Sequence, residues 1–172
     1  MKKTWPGWVL LGTAVVVLLL DQLSKRWIEA NLSIGESIVP FPALSGFFTI
    51  THFTNTGAAF GLFRDQGLLF VVIAVVVVVA IVVYSRNLPK DVWLVQFSLG
   101  LQLGGALGNL LDRLRQGHVT DFIYFHFWPA FNVADTAIVV GVILLAWTIL
   151  RLPDEQKVEE MVEAEQGEQQ AA

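Results

Sequence analysis

Four long, strongly apolar stretches without a charged residue dominate this sequence. They cover residues 4–20, 66–85, 92–111 and 136–150, and they contain 17, 20, 20 and 15 residues. A helix needs about 20 residues to cross the roughly 30 Å of hydrocarbon in a bilayer. The first and fourth stretches reach that length only if they extend to include Asp21 and Asp135. The sequence therefore predicts four transmembrane helices, with these two acids at or just inside a membrane boundary.

Composition supports a membrane protein and excludes several other classes. Of the 172 residues, 55% are hydrophobic and only 15% are charged, which is too apolar for a soluble domain of this size. The net charge of −4 comes from the last nineteen residues, which hold seven of the fifteen acids, so it gives no support for nucleic-acid binding. The absence of cysteine excludes disulfides, thiolate catalysis and cysteine metal sites. We predict one membrane domain over residues 1–152 and an acidic, disordered cytoplasmic tail over 153–172.

Sidedness follows from the number of helices and from the basic residues. The basic N-terminus resembles a secretory signal, but no small-residue cleavage site follows it. Four helices place both termini on one side, where six basic residues outnumber the five on the other, which favours cytoplasmic termini. The loops at 30–65 and 113–131 are then extracytoplasmic. Asp21, Asn109, Asp112, Asn132 and Asp135 all fall at that outer face.

The two outer loops carry patterns of their own. Residues 47–53 and 118–127 are rich in β-branched and aromatic residues with partial alternation, which predicts strands of a small sheet resting on the membrane surface. In the second strand, Asp121 lies on an otherwise apolar face with period two. Residues 55–63 (NTGAAFGLF) are predicted to form a short interfacial helix that could act as a lid over a site.

The motifs of serine hydrolases and zinc proteases are missing, so carboxylate and carboxamide side chains remain as the candidate reactive groups. The sequence has no Gly-x-Ser-x-Gly elbow and no His-Glu-x-x-His motif, and its three histidines lack ligand spacing, which favours a packing role for them. Asn109 with Asp112, and Asn132 with Asp135, are each spaced to share one helix face. Capping of the fourth helix is an alternative explanation of the second pair, but it does not explain Asp112 and Asp121 at the same surface.

Acids gathered in a poorly hydrated site cannot all be ionised at neutral pH. Two carboxylates that share a proton supply an acid and a base together, as in aspartic proteolysis, although a proton relay or ion site would use the same residues. The spacing does not choose two acids from the three candidates. Gly100, Gly104 and Gly108 form a stripe along the third helix, for which helix packing is the favoured interpretation.

Four blocks of this sequence together resemble one known family. They are DQLSK at 21–25, FTNTGAAFG at 53–61, GGALGNLLDRLRQGHVTDF at 104–122 and FNVADTAI at 131–138. In order and spacing they are similar to the bacterial lipoprotein signal peptidases, also called prolipoprotein signal peptidases or signal peptidase II. The resemblance covers residues from about 8 to 151, and any one block alone would be a weak match.

The resemblance implies a four-helix inner-membrane aspartic peptidase. Its substrates would be diacylglyceryl-modified prolipoproteins, cut on the N-terminal side of the lipidated cysteine, with membrane lipid around it and no cofactor, metal or obligate protein partner. Asp121 and Asp135 would be the catalytic aspartates. The supporting and substrate-binding positions would be Asp112, Asn55, Gly57, Gly105, Gly108, Asn109, Arg113, Asn132, Asp21 and Lys25.

Simpler roles and other functions remain open for some of these residues. Arg113 can stabilise the end of the third helix or pair with Asp112 or a lipid phosphate, and Asp21 with Lys25 can form an ordinary i,i+4 ion pair. A proton- or ion-coupled transport subunit would use the same aspartates, but no acid lies in the middle of the second or third helix. A structural scaffold that docks partners on the glycine stripe would leave the polar cluster unexplained.

Overall fold

Four helices and a three-stranded sheet make up the fold. The computed structural model describes residues 7–57, 66–85 and 92–151. Along the chain the elements are α1 (Trp8–Asn31), β1 (Ser37–Ile38), β2 (Phe48–Asn55), α2 (Gly67–Tyr84), α3 (Trp93–Gln116), β3 (Val119–Phe125) and α4 (Val133–Ile149), with a single 3-10 turn at Pro42–Leu44. The helices α1, α2 and α3 are long and apolar enough to cross a membrane, and α4 is a shorter apolar helix.

Helix α3 is the centre of the bundle, and its glycines explain how closely its neighbours approach. A Cβ atom at Gly100 would lie 2.7 Å from the carbonyl oxygen of Leu10, and one at Gly104 would lie 2.6 Å from that of Ala14. Both carbonyls belong to α1, so these positions have no room for a side chain. The packing interpretation of the glycine stripe is therefore confirmed for these two residues.

Helix α2 packs at the edge of the bundle. Its single buried residue in the described chain is Ile81, which joins an apolar cluster with Leu10 of α1 and with Val95, Leu99 and Leu103 of α3. The rest of α2 is almost entirely Val, Leu, Ile and Ala with exposed side chains. Such a helix is stable only where its surroundings are apolar, as they are in a bilayer.

The sheet is antiparallel in the order β1-β2-β3. It confirms the strands predicted at 47–53 and 118–127, while β1, with two residues, was too short for any pattern to predict. Between Ile50 and Phe53 the register of β2 against β3 shifts by one residue. This β-bulge places Ile50, Phe53 and Asn55 on the same face of the sheet as Asp121.

The region predicted as an interfacial helix begins differently from that prediction. Asn55 is the last residue of β2, because its strand pairs with β3 as far as Val119, and Gly57 follows in a bend. The helical prediction is therefore wrong for Asn55, and residues 58–63 lie outside the described part of the chain. The basic N-terminus, the loop at 86–91 and the tail from 152 onward also lie outside it.

Two connections fix β3 relative to the helices. Gly117 adopts φ +80°, a left-handed conformation that glycine tolerates best, and it turns the chain from the end of α3 into β3. Phe122 of β3 packs with Ile28 and Leu32 at the end of α1. The strand that carries Asp121 is therefore attached to both α1 and α3.

Candidate active site

Asp121 is held in β3 by two carboxamides. The side chain is 3% exposed, and its Oδ1 accepts a 2.7 Å hydrogen bond from Asn132 while its Oδ2 accepts a 2.9 Å bond from Asn55. The oxygen of the Asn55 side chain accepts a hydrogen bond from the backbone N–H of Gly57, which orients the amide. A carboxamide can donate to a carboxylate without adding a charge to the site.

Asp135 is held at the first turn of α4 by a capping box. The Asn132 side chain accepts a 2.9 Å hydrogen bond from the backbone N–H of Asp135, and Asp135 Oδ2 accepts a 3.2 Å bond from the backbone N–H of Asn132. The capping interpretation is thus confirmed. The cap does not exclude a role for Asn132 in the site. It uses the side-chain oxygen and the backbone N–H, so the side-chain nitrogen of Asn132 is available to donate to Asp121.

Asn109 bonds Asp135 directly and is linked to Asp121 through Asn132. Its Nδ2 donates a 2.7 Å hydrogen bond to Asp135 Oδ1, and its Oδ1 accepts bonds from Asn132 at 3.2 Å and from Lys25 at 2.9 Å. Because Lys25 can only donate, it fixes which end of the Asn109 amide is oxygen and which is nitrogen. The amide nitrogen is consequently the end that faces Asp135.

Lys25 belongs to a fully buried ionic cluster. Its Nζ lies 2.8 Å from Asp21 Oδ2 and 2.8 Å from Asp112 Oδ2, and none of the three side chains is exposed. The contact with Asp112 lacks the alignment of a hydrogen bond, so it is an ion pair. The predicted i,i+4 pair of Asp21 and Lys25 is confirmed, but it is internal. Asp21 Oδ1 also accepts from the backbone N–H of Ala134, which ties α1 to the start of α4.

Gln22 is a part of this cluster that the sequence pattern did not single out. Its Nε2 donates to Asp112 Oδ1 at 2.8 Å and lies 3.3 Å from the carbonyl oxygen of Gly108. Its position within the DQLSK block, one residue after Asp21, was the only indication available. The structure makes Gln22 a third connection between α1 and the end of α3.

The glycines near the site allow close contact between helices. A Cβ at Gly105 would meet the carbonyl oxygen of Ala134, and one at Gly108 would meet the Asp21 carboxylate. A side chain at either position would force α3 away from α4 or from the buried ionic cluster. Both glycines therefore support the site through packing.

A cavity of about 470 Å³ opens beside the two aspartates. Asp121 and Asp135 both line it, whereas Asp112 does not. Arg113 also lines it, with its guanidinium 5.2 Å from the ring centre of Phe70 and 3.3 Å from the carbonyl oxygen of Asn109. The predicted stabilisation of the end of α3 by Arg113 is thus present, and its charge also faces the cavity.

Burial alters the acidity of Asp121. Loss of hydration, and then repulsion from the nearby Asp135 carboxylate, raise the pKa of Asp121 from 3.8 to about 7, although hydrogen bonds from Asn55 and Asn132 oppose the change. A carboxyl group with this pKa holds its proton for much of the time near neutrality. The site can therefore present a neutral carboxyl and a carboxylate side by side.

Comparison with known proteins decides the family. A family model described as "Signal peptidase (SPase) II" matches residues 13–151. The chain belongs to the signal peptidase II family. The lipoprotein signal peptidase of Moorella thermoacetica is 48% identical over 83% of this chain and 93% of its own length, and that of Pseudomonas fluorescens is 46% identical over 81% and 85%.

Solved structures agree with this assignment. One bacterial membrane enzyme matches with a TM-score of 0.81 and 32% identity, covering 88% of this chain and 93% of its own. A second matches with a TM-score of 0.78 and 31% identity, covering 89% and 99%. As a signal peptidase II family member, the chain is a peptidase of the membrane. This outcome favours the peptidase over the transport subunit and the scaffold.

Within the signal peptidase II fold, the three candidate acids separate into two groups. Asp112 is neutralised by Lys25 inside the bundle, while Asp121 and Asp135 meet at the cavity. The sequence could not make this distinction, because it depends on a lysine from α1 that packs against α3. Asn55, Asn109 and Asn132 gather at the two cavity aspartates, as the four sequence blocks predicted.

Proposed function

We propose that this chain is an aspartic endopeptidase that removes the signal peptide from diacylglyceryl-modified prolipoproteins, cutting on the N-terminal side of the lipidated cysteine. One observation carries the proposal. Two carboxylates, the buried Asp121 from a strand and the half-buried Asp135 from a helix, line one cavity and are both hydrogen-bonded to Asn132. Two independently positioned acids at one cleft are what aspartic peptide hydrolysis requires.

The reaction follows from the two protonation states. We write the reaction with the shared proton on Asp121, whose pKa is raised to about 7, and with Asp135 as the carboxylate. Asp135 removes a proton from water as the water oxygen attacks the scissile carbonyl carbon, and Asp121 gives its proton to the carbonyl oxygen. The tetrahedral intermediate then collapses: the C–N bond breaks, the amine leaves with the proton taken up by Asp135, and Asp121 recovers its own. The products are a carboxylic acid and an amine, and no proton is lost from the dyad.

The surrounding amides hold the dyad in place. Asn109 and Asn132 fix the orientation of the carboxylates, and Asn55 bonds the outer oxygen of Asp121. The bonds from Asn55 and Asn132 lower the pKa of Asp121, but these donors carry no charge, and burial together with the Asp135 carboxylate keeps the pKa raised. Arg113 and Gly57 line the cavity, and the guanidinium of Arg113 offers donors to the backbone of an extended peptide.

The cavity wall supports a lipidated substrate. Phe70 of α2 and Val139 and Val140 of α4 form an apolar part of its lining. Burial of an acyl chain contributes about 0.8 kcal/mol per CH2. A diacylglyceryl group seated along α2 and α4 would hold the adjacent cysteine at the depth of the dyad.

Tryptophans on α1 support the proposed membrane placement. Trp8 and Trp27 are 64% and 52% exposed. Nineteen residues separate them, which at about 1.5 Å per residue is about 29 Å, close to the hydrocarbon thickness. Tryptophan is enriched at both membrane interfaces. We place Trp27, the sheet and the dyad at the extracytoplasmic face of the inner membrane, with four membrane-spanning helices and both termini in the cytoplasm.

Labelling at introduced cysteines tests this placement, because the chain has none of its own. A cysteine at Ser37 should react with an impermeant maleimide added to intact cells, and one at Arg151 should react only after lysis. The reverse pattern would refute the orientation. We further assign the peptidase to residues 1–152 and a separate acidic tail to 153–172, so truncation after residue 154 should leave turnover nearly unchanged.

The decisive experiment compares two substrates. Purified protein should convert a diacylglyceryl-modified prolipoprotein to a smaller product on a gel, and mass spectrometry should place the new N-terminus at the modified cysteine. The unmodified precursor should react poorly. Equal rates with both precursors would refute the role of the lipid, and the absence of cleavage of either one would refute the proposed function.

A further inference from the structure

Glu29, near the end of α1, accepts hydrogen bonds from the segment that joins α3 to Asp121. Its Oε1 lies 2.7 Å from the hydroxyl of Thr120 and 3.3 Å from the Nε2 of Gln116. Arg115 completes the group with an ion pair to Glu29 Oε2 at 3.2 Å. The side chain of Glu29 is 27% exposed and that of Arg115 is 37% exposed, so the ion pair itself is a partly hydrated contact.

The bond to Thr120 differs from the ion pair because Thr120 is completely buried. Its hydroxyl makes two hydrogen bonds: it donates to Glu29 and accepts from Gln116. Glu29 is therefore the acceptor for the proton of a hydroxyl that water does not reach. Removing that acceptor leaves a buried donor without a partner, which forces the strand to move or the site to hydrate.

Alternation along β3 connects this bond to the catalytic side chain. Thr120 and Phe122 point toward α1, where they meet Glu29 and the pair Ile28 and Leu32. Asp121 lies between them and points to the opposite face, toward Asn132. Polar and apolar contacts to α1 on either side of Asp121 thus fix the peptide units that set its direction.

We infer that Glu29 is a positioning residue for the reaction, which holds the Asp121 carboxylate against its partner by accepting the hydroxyl proton of Thr120. This inference rests on the proposed function. Glu29 touches neither the cavity nor the dyad, so its effect is on geometry. A small displacement of a catalytic group can lower turnover by about a hundredfold.

The test uses matched pairs of variants with a lipid-modified prolipoprotein peptide. Thr120→Val keeps the shape of the side chain and removes the hydroxyl, whereas Thr120→Ser keeps the hydroxyl. Glu29→Ala removes the acceptor, whereas Glu29→Gln keeps a carbonyl oxygen in its place. We expect Thr120→Val and Glu29→Ala to lower kcat by about tenfold with KM changed by less than about twofold. Thr120→Ser and Glu29→Gln should recover most of the loss.

Arg115→Ala is the control for charge. It removes the ion pair and leaves the bond between Glu29 and Thr120, so kcat should stay near the wild-type value. A loss in Arg115→Ala as large as in Glu29→Ala, or equal losses in Glu29→Gln and Glu29→Ala, would overturn the inference. An effect confined to KM would overturn it as well.

The contact can also be measured without substrate. The losses of Tm in Glu29→Ala and Thr120→Val should be less than additive in the double variant, because both remove one bond. Additive losses would refute the coupling even if the chain proved inactive. A wild-type protein that fails to cleave refutes the proposed function, whereas an active protein that is insensitive to these changes refutes only the role of Glu29.

Discussion

Asn132 donates a 2.7 Å hydrogen bond to Asp121 with the same side chain whose oxygen caps the helix that carries Asp135. The start of α4 and the geometry of the dyad are therefore set by one residue. The two interactions use different atoms, so they can be separated by substitution.

Asn132→Ser should separate them. Both variants lose the bond to Asp121, but serine is a good N-cap and alanine is not, so Asn132→Ser should keep about 1 kcal/mol more unfolding free energy than Asn132→Ala. Neither residue can donate an amide proton to Asp121, so both variants should lose at least about tenfold in kcat. Thermal unfolding in detergent and steady-state cleavage measure the two quantities. A fully active Asn132→Ser variant would show that the bond to Asp121 is dispensable.

The two cavity aspartates should behave as a unit. Asp121→Asn and Asp135→Asn should each lower kcat by about a thousandfold or more, and the double variant should be little worse than either, because one missing member disables the pair. Glu36→Gln, at an exposed carboxylate, is the control and should be unaffected. The rates are measured by gel shift of a lipidated precursor. If the losses of kcat in the two single variants multiplied in the double variant, the two residues would act in separate steps.

The raised pKa of Asp121 predicts a pH-dependent stability. The folded protein retains a proton on Asp121 between about pH 4 and pH 7 that the unfolded chain releases, so stability falls as pH rises through this window and the contribution stays lost above it. The full effect is on the order of 4 kcal/mol. Tm measured from pH 5 to pH 8 should fall more steeply in the wild type than in Asp121→Asn. Parallel curves would show that Asp121 titrates normally.

Lys25 should be essential to folding because it neutralises two fully buried acids. Lys25→Met leaves Asp21 and Asp112 unpaired inside the bundle, which should cost about 3 kcal/mol or more. Combining it with Asp21→Asn and Asp112→Asn should restore part of that stability, because the uncompensated charges are then gone. The measurement is Tm together with the yield of monodisperse protein. A Lys25→Met variant as stable as the wild type would contradict the proposed role of Lys25 in neutralising these acids.

Gly105 should tolerate no side chain. The Cβ of Gly105→Ala would meet the carbonyl oxygen of Ala134, so α3 and α4 must separate, and both Tm and cleavage should fall. Gly12→Ala in α1 is the matched control, since a Cβ there meets nothing within 4 Å. It should be neutral or slightly stabilising, because alanine favours a helix more than glycine does. Equal effects at the two sites would reject the packing argument.

Sequence patterns were sufficient for the helices and for the residues that gather at the site. Runs of apolar residues predict α1 to α4 because a bilayer demands length and low charge, and the Asn-x-x-Asp spacings predict the shared faces. What they could not predict depends on tertiary contacts. The pairing of Asp112 with Lys25 requires the close approach of α1 and α3, and the bond between Glu29 and Thr120 joins residues that lie far apart in the chain.

The bulge in β2 was equally inaccessible. Ile50 and Asn55 are five positions apart, so strict alternation would place their side chains on opposite faces of the sheet. Asn55 would then face away from Asp121. The extra residue between Ile50 and Phe53 reverses that parity and brings the Asn55 amide to Asp121. Only the observed pairing with β3 reveals it.

The left-handed turn at Gly117 allows α3 to be followed directly by β3, so Asn109, Asp112, Arg113 and Asp121 all arrive on one short, continuous run of chain. Half of the proposed catalytic apparatus therefore lies in one continuous segment, residues 109–121. Exchanging that segment between relatives would transfer these polar side chains together. The recipient would need a lysine and a glutamate at the positions on its first helix that correspond to Lys25 and Glu29.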